Sequence, residues 1–159
     1  MSDLGFVAGY RPCVGMVVLN QTGNIFAAKR VDIKDAWQMP QGGVAPEEEP
    51  LTAAYRELFE ETGMTKKNLT LIKQAKGVYT YDFPASVVPC AFGGRYKGQA
   101  QLWFLFRFIG SESSINTSQP AREFSAWQWK TPDAILALAP DFKKGVYQEV
   151  FYDFCLKVR

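Results

Sequence analysis

Glu57, Glu60 and Glu61 stand at i, i+3 and i+4, the spacing that puts three carboxylates on one helix face with Cβ atoms about 5–6 Å apart. Like charges held that close repel, and a purely solvated acidic face is one way a chain tolerates them. The same cluster also meets what a magnesium ion requires: hard oxygen ligands on a rigid element, with retained waters and phosphate oxygens completing an octahedron. Two neighbouring features favour the metal. Leu51, Tyr55 and Leu58 form a core-facing stripe on the other side of the same helix. Gly42-Gly43 precedes it and lets the backbone come close to a ligand.

Composition narrows the chemistry further. The 159 residues contain no histidine, which removes Ser-His and Cys-His nucleophilic pairs and His-containing zinc sites. Catalysis must then run on carboxylates, lysine, tyrosine or oxygen-held metals. A net charge of +2 is too small for non-specific nucleic-acid binding by bulk field. Six glutamates crowd positions 47 to 61 while the basic residues are spread elsewhere, so a locally acidic site sits on a mildly basic protein. Cys13, Cys90 and Cys155 are odd in number and widely spaced, which argues against a disulfide framework and for inert thiols in a reducing compartment. No apolar run approaches the roughly 20 residues of a membrane helix, and Met1 to Arg11 lacks the pattern of a secretory signal. The expectation is a cytoplasmic protein of one domain spanning 1–159.

The elements that must position the glutamates follow from pattern. Val14 to Leu19 reads as a buried strand, Asn20 to Asn24 as a turn and Ile25 to Lys29 as the second strand of a hairpin. Trp37 to Val44 reads as a loop. Pro50 suits a first helical position and Gly63 a left-handed stop, which predicts a helix over Pro50 to Thr62. Leu69 to Tyr81, Gln101 to Ile109 and Phe124 to Trp129 read as strands, with a glycine-rich excursion around Gly93, Gly94 and Gly98. A closing helix carries Phe142, Val146, Val150 and Phe154 in one apolar row and Tyr147, Phe151 and Cys155 in the next. Strands interleaved with two strong helices predict an α/β domain with helices on both sides of a mixed sheet.

The stretch from Gly42 to Met64 resembles the Nudix box: glycine, five residues, glutamate, seven residues, then Arg-Glu-aliphatic-x-Glu-Glu-x-Gly. Gly42, Glu48, Arg56, Glu57, Glu60, Glu61 and Gly63 all fall in register, far more specific than a lone glycine motif. The resemblance implies the Nudix fold, an α/β/α sandwich with a mixed β-sheet. It implies Mg2+ as cofactor, with Mn2+ a substitute, held by Glu57, Glu60, Glu61 and the Gly42 carbonyl. Glu48 and Arg56 would orient the loop and the carboxylates from behind, with Gly43 and Gly63 shaping the backbone. The general base would be a box glutamate or Glu123.

The flanks are similar to a narrower branch, the bacterial RNA pyrophosphohydrolases and the plant dinucleoside tetraphosphate hydrolases. The segments that carry this are Tyr10-Arg11-Pro12-Cys13-Val14-Gly15, Trp37-Gln38-Met39-Pro40-Gln41, Gly98 to Phe104 and Glu123 to Trp129. The similarity runs from about Tyr10 to the final helix. It implies hydrolysis of phosphoanhydride bonds, either removing pyrophosphate from triphosphorylated RNA 5′ ends or splitting dinucleoside polyphosphates asymmetrically. By position, Glu123 looks like an extra metal-binding glutamate, and Arg11, Arg30 and Lys143 reach phosphates. Tyr81 and Gln99 line the site, and Phe142 stacks on a base. The bland alternatives are core packing for Phe142 and surface charge for the three cations; Trp103, Trp127 and Trp129 read as core. Glu47 stands where the branch often has glycine. Gln99-Ala100-Gln101-Leu102 lacks the lysines common in bacterial RNA-acting members, which leans toward dinucleotides. A housekeeping nucleoside triphosphate or nucleotide-sugar pyrophosphatase shares the box but not these flanks. An inactive nucleotide-binding module is disfavoured because all three box glutamates stand. The expected form is a monomer without a stable protein partner or membrane attachment.

Overall fold

A computed structural model of the chain describes residues 6–86, 91–118 and 124–158. Among these it has seven strands and three helices: β1 (Tyr10–Leu19), β2 (Ile25–Arg30), β3 (Trp37–Gln38), β4 (Gln41–Gly43), α1 (Pro50–Thr62), β5 (Leu69–Asp82), β6 (Gly98–Phe108), β7 (Phe124–Lys130), α2 (Pro132–Leu138) and α3 (Asp141–Asp153). The strand order is β3-β2-β1-β6-β5, with β4 pairing β1 and β7 pairing β2. β1 runs parallel to β6 over its whole length, from Tyr10↔Gly98 to Leu19↔Arg107. The β1–β2, β2–β7 and β5–β6 pairs are antiparallel, so the sheet is mixed.

Side-chain alternation along the strands builds two cores, one on each face of the sheet. Val14, Met16 and Val18 of β1 join Leu102, Phe104 and Phe106 of β6 under Ala53, Ala54 and Leu58 of α1. Val17 and Leu19 join Trp103 and Leu105 under Val146, Tyr147, Val150 and Phe151 of α3. Both strands are apolar on both faces because both faces are covered, which is the α/β/α sandwich expected from the residues. No helix among the described residues is long and apolar enough to cross a membrane.

Gly15 sits opposite Trp103 in the β1–β6 register. A Cβ there would lie 2.3 Å from Trp103 Cε2, and the fully buried indole has no space to retreat into. We expect Gly15→Ala to destabilise the fold by about 1–3 kcal/mol, the usual cost of overpacking, as a lower urea midpoint with an unchanged m-value.

Three expectations from sequence need correction, and a fourth is narrowed. β1 and β2 meet as a hairpin at the expected turn, but only Leu19↔Ile25 pairs them. Beyond that point the strands part, β4 takes the place beside β1 and β3 the place beside β2. For the same reason Trp37 to Val44 is not simply a loop: its backbone groups are satisfied by the two opened strand edges. A third helix, α2, starts with Pro132 behind Thr131, whose side chain accepts a hydrogen bond from Ala134 N–H; seven residues were too short to show periodicity. Cys155 lies past the end of α3 at φ 57°, exposed rather than in an apolar row.

Candidate active site

α1 ends as its residues dictate: Gly63 adopts φ 75° and its N–H donates to the Phe59 carbonyl. Ahead of the helix, β4 packs against the Glu57 carboxylate. A Cβ on Gly42 would fall 2.0 Å from Glu57 Cδ, and one on Gly43 would fall 2.3 Å from Arg11 Nη2. Only glycines let Glu57 and Arg11 close onto the strand from its two sides.

Arg56 ties the helix to the preceding loop. Its Nε and Nη2 donate to the two Glu48 oxygens at 2.9 and 2.8 Å, and Nη2 also donates to the Gly43 carbonyl at 2.9 Å. Nη1 donates to Glu57 Oε1 at 2.8 Å and to Glu60 Oε2 at 3.4 Å. Glu48 in turn accepts from Ala45 N–H at 3.0 Å. The Arg56 hydrogen bonds hold the Glu48 carboxyl below its ordinary pKa, more than burial raises it, and the same pairing raises Arg56. Glu47, inside this loop, adopts φ 63°. That backbone region favours glycine, the residue the resembled branch often places there.

The three box glutamates occupy different surroundings. Glu57 faces Gly42, Glu60 is half exposed and drawn to Arg56, and Glu61 is 7% exposed on the core side of α1. Among the described residues no three acidic or cysteine side chains are arranged to hold a metal ion, and Glu123 lies outside the described residues. The Gly42 backbone packed on Glu57 and an all-oxygen donor set fit a hard divalent cation. Glu60, as placed, answers to Arg56 instead.

A cleft of about 630 Å³ opens beside this pair. Gly42, Gly43, Glu57, Arg11, Arg30, Tyr81, Gln99, Phe142 and Lys143 line it, bringing together residues from β1, β2, β4, α1, β5, β6 and α3. Arg56, Glu48, Glu60, Glu61 and Gly63 are not among its lining residues. Lys143 is 2% exposed, and its Nζ donates to Gln38 Oε1 at 2.8 Å and Gln41 Oε1 at 3.0 Å. The half-buried Phe142 ring packs tilted against Tyr81 with centroids 5.4 Å apart. Burial raises the Tyr81 hydroxyl pKa, opposed by a hydrogen bond with Gln41. Burial likewise pushes the Cys13 thiol up to about 12 despite Arg11 nearby, so it stays protonated and unreactive at neutral pH. Cys90 lies outside the described residues. Trp103 is fully buried, while Trp127 and Trp129 pack on Phe26 from one side.

Sequence reading missed Gln38, Gln41 and Asp32. The two glutamines sit in the Trp37–Gln41 segment that already stood out; Asp32 had no signal. It accepts from Arg30 Nε and Nη2 at 2.8 and 2.6 Å, which lowers its own pKa. Arg30 therefore meets the cleft already engaged with a carboxylate.

Comparison with known proteins agrees with this architecture. The family model described as NUDIX domain matches residues 9–150. The RNA pyrophosphohydrolase of Cereibacter sphaeroides is 42% identical over 146 residues, covering 91% of this chain and 90% of that protein. The RNA pyrophosphohydrolase of Rickettsia conorii is 44% identical over 146 residues, covering 91% and 89%. Among solved structures, the E. coli dihydroneopterin triphosphate pyrophosphohydrolase superposes with a TM-score of 0.69 at 21% identity, over 88% of this chain and 95% of that one. Nudix hydrolases generally need a divalent metal ion, in keeping with the oxygen donors around Gly42. With the box in register, the sandwich around it and relatives matched over nearly their full length, the chain belongs to the NUDIX family of hydrolases.

Proposed function

We propose that this chain hydrolyses phosphoanhydride bonds with Mg2+, removing pyrophosphate from triphosphorylated RNA 5′ ends. The observation that carries this is the cleft itself. Glu57 against Gly42 stands at one part of it, the cations Arg11, Arg30 and Lys143 line it, and the Phe142 ring offers a flat apolar surface. Similarity to RNA pyrophosphohydrolases over nine-tenths of the chain supports the same reading.

The division of labour follows from charge. A phosphoanhydride resists attack because its negative oxygens shield phosphorus. Bound Mg2+ would supply neutralisation of those oxygens, with Gly42, Glu57, Glu61 and Glu123 as its holders and Glu60 joining them once it turns from Arg56. Arg56 holds Glu57 and Glu60 in place through its Nη1 hydrogen bonds. Arg11 and Lys143 draw the phosphate chain along the cleft, with Arg30 contributing once it leaves Asp32. Phe142 stacks on a base, which is tolerant of sequence and worth about 1–3 kcal/mol. Water attacks phosphorus, a carboxylate takes its proton, and the bridging oxygen leaves with the departing phosphate.

A second reading, asymmetric cleavage of dinucleoside polyphosphates, is favoured by the neutral Gln99 and Gln101 where RNA-acting relatives often carry lysines. We take the working unit to be one domain within 1–159, monomeric, cytoplasmic and without a stable protein partner.

The test offers triphosphorylated RNA and diadenosine tetraphosphate side by side with Mg2+. We expect faster release of pyrophosphate from RNA. Faster release of ATP and AMP from the dinucleotide would establish the second reading, and turnover of neither would overturn both.

A further inference from the structure

Three glutamine side chains at the cleft floor, with a fourth joined through Lys143, form one hydrogen-bonded chain whose direction is set from outside it. Gln99, Gln101 and Trp103 alternate on one face of β6, with Gln41 from β4 and Gln38 from β3 beside them. An amide is ambiguous on its own, since its oxygen and nitrogen exchange by a half-turn of the side chain. An indole N–H and an ammonium are not, because each can only donate.

Trp103 Nε1 donates to Gln101 Oε1 at 3.1 Å. That turns Gln101 Nε2 inward, where it donates to Gln41 Oε1 at 3.0 Å and Gln99 Oε1 at 2.9 Å. Gln41 Nε2 donates to Gln99 Oε1 at 3.3 Å. Lys143 holds the Gln41 and Gln38 oxygens, and Arg30 Nη1 adds a donor to Gln38 Oε1 at 3.3 Å. All four amide oxygens are thus accepting, three of them twice. The donors are not used up. Among the described residues, Nε2 of Gln38 and of Gln99 donates to no protein group, and both residues line the cleft.

We infer that Trp103 is a positioning residue: acting through Gln101, it keeps the Gln99 amide turned with its N–H groups toward the substrate's phosphate oxygens. Gln101 and Trp103 are 1% and 0% exposed and do not line the cleft, so neither touches substrate. Without the indole N–H, Gln101 loses its strongest directional anchor, and only the Gln41 oxygen held by Lys143 still opposes a turned-over amide. Gln99 then satisfies it by donating inward, and presents its carbonyl to an anion. The inverted amide repels where the native one binds. This inference rests on the polyphosphate reading of the cleft.

Trp103→Phe keeps an aromatic ring of nearly the same bulk and removes the N–H. Steady-state kinetics on whichever of the two nucleotide substrates the wild type turns over should show KM raised about tenfold, the loss of one hydrogen bond to a charged oxygen, with a smaller change in kcat. In a Gln99→Leu background the same replacement should add little, because the group it positions is gone. An unchanged KM in Trp103→Phe, or full additivity in the double variant, would overturn the inference. A purely packing role predicts that additivity, together with a lower thermal midpoint that tracks the activity loss. A wild type inactive on both substrates would instead sink the functional reading, a failure visible before any variant is made.

Discussion

Glu57→Gln is expected to lower kcat by more than about 10²-fold while the protein stays folded. Residues that merely orient a metal ligand typically cost about 10–100-fold when removed, and we propose Glu57 as the ligand itself. It is the box carboxylate that lines the cleft, its side chain is 14% exposed, and Gly42 has no side chain to separate it from the strand. The amide is isosteric but neutral, so packing survives and the charge that attracts a cation is lost. The check is turnover against Mg2+ concentration together with thermal unfolding. A half-saturating Mg2+ concentration that rises while the unfolding midpoint holds would fit a ligand. Near-native turnover in Glu57→Gln would refute the metal assignment at this residue.

Arg56→Ala should damage stability and activity together. Arg56 makes five hydrogen bonds, to Glu48, Glu57, Glu60 and the Gly43 carbonyl. Bonds to charged groups are worth about 1.5–3 kcal/mol each when well buried. The arginine is 35% exposed, so screening cuts that sum heavily, and we expect about 2 kcal/mol in all. Glu57 loses the donor on Oε1, so turnover falls as well. Arg56→Lys should recover little of either, because an ammonium cannot grip Glu48 bidentately while reaching Gly43.

The pH dependence of that loss carries a definite sign. Glu48 has a folded pKa below its ordinary value of 4.5, with Arg56 the largest cause. Its contribution is complete above the unfolded-state pKa, where both states are ionised. As the pH falls the unfolded chain takes up the proton first, and the contribution fades toward the folded pKa. Urea midpoints measured from neutral pH down through 4.5 should therefore decline more steeply in the wild type than in Arg56→Ala. Parallel curves would mean that the pair adds no pH-dependent stability.

Local chemistry was enough to determine α1 and its ends. Pro50, the stripe through Leu58 and Gly63 are all signals within one helix, and the observed helix runs Pro50–Thr62. Strands β1, β2 and β6 were legible as well, since burial on both faces leaves continuous apolar runs, whereas β3 and β4 were not. Spacing also placed Glu57, Glu60 and Glu61 on one helix, but it did not say that Arg56 would claim Glu60 or that Glu61 would lie on the core side. Those outcomes depend on what surrounds the helix.

Tertiary structure alone decided the rest. The parting of β1 from β2 inserts β3 and β4 between them, and this brings Gly42 onto Glu57 and Gly43 onto Arg11. Gln41 and Lys143 are 102 positions apart and Gln41 and Gln99 are 58 apart, so no local pattern reports that they meet. A glutamine's polarity is likewise silent in the chain. It is decided by donor-only neighbours: Trp103, two positions along the same strand, and Lys143, which arrives only when α3 closes over the sheet.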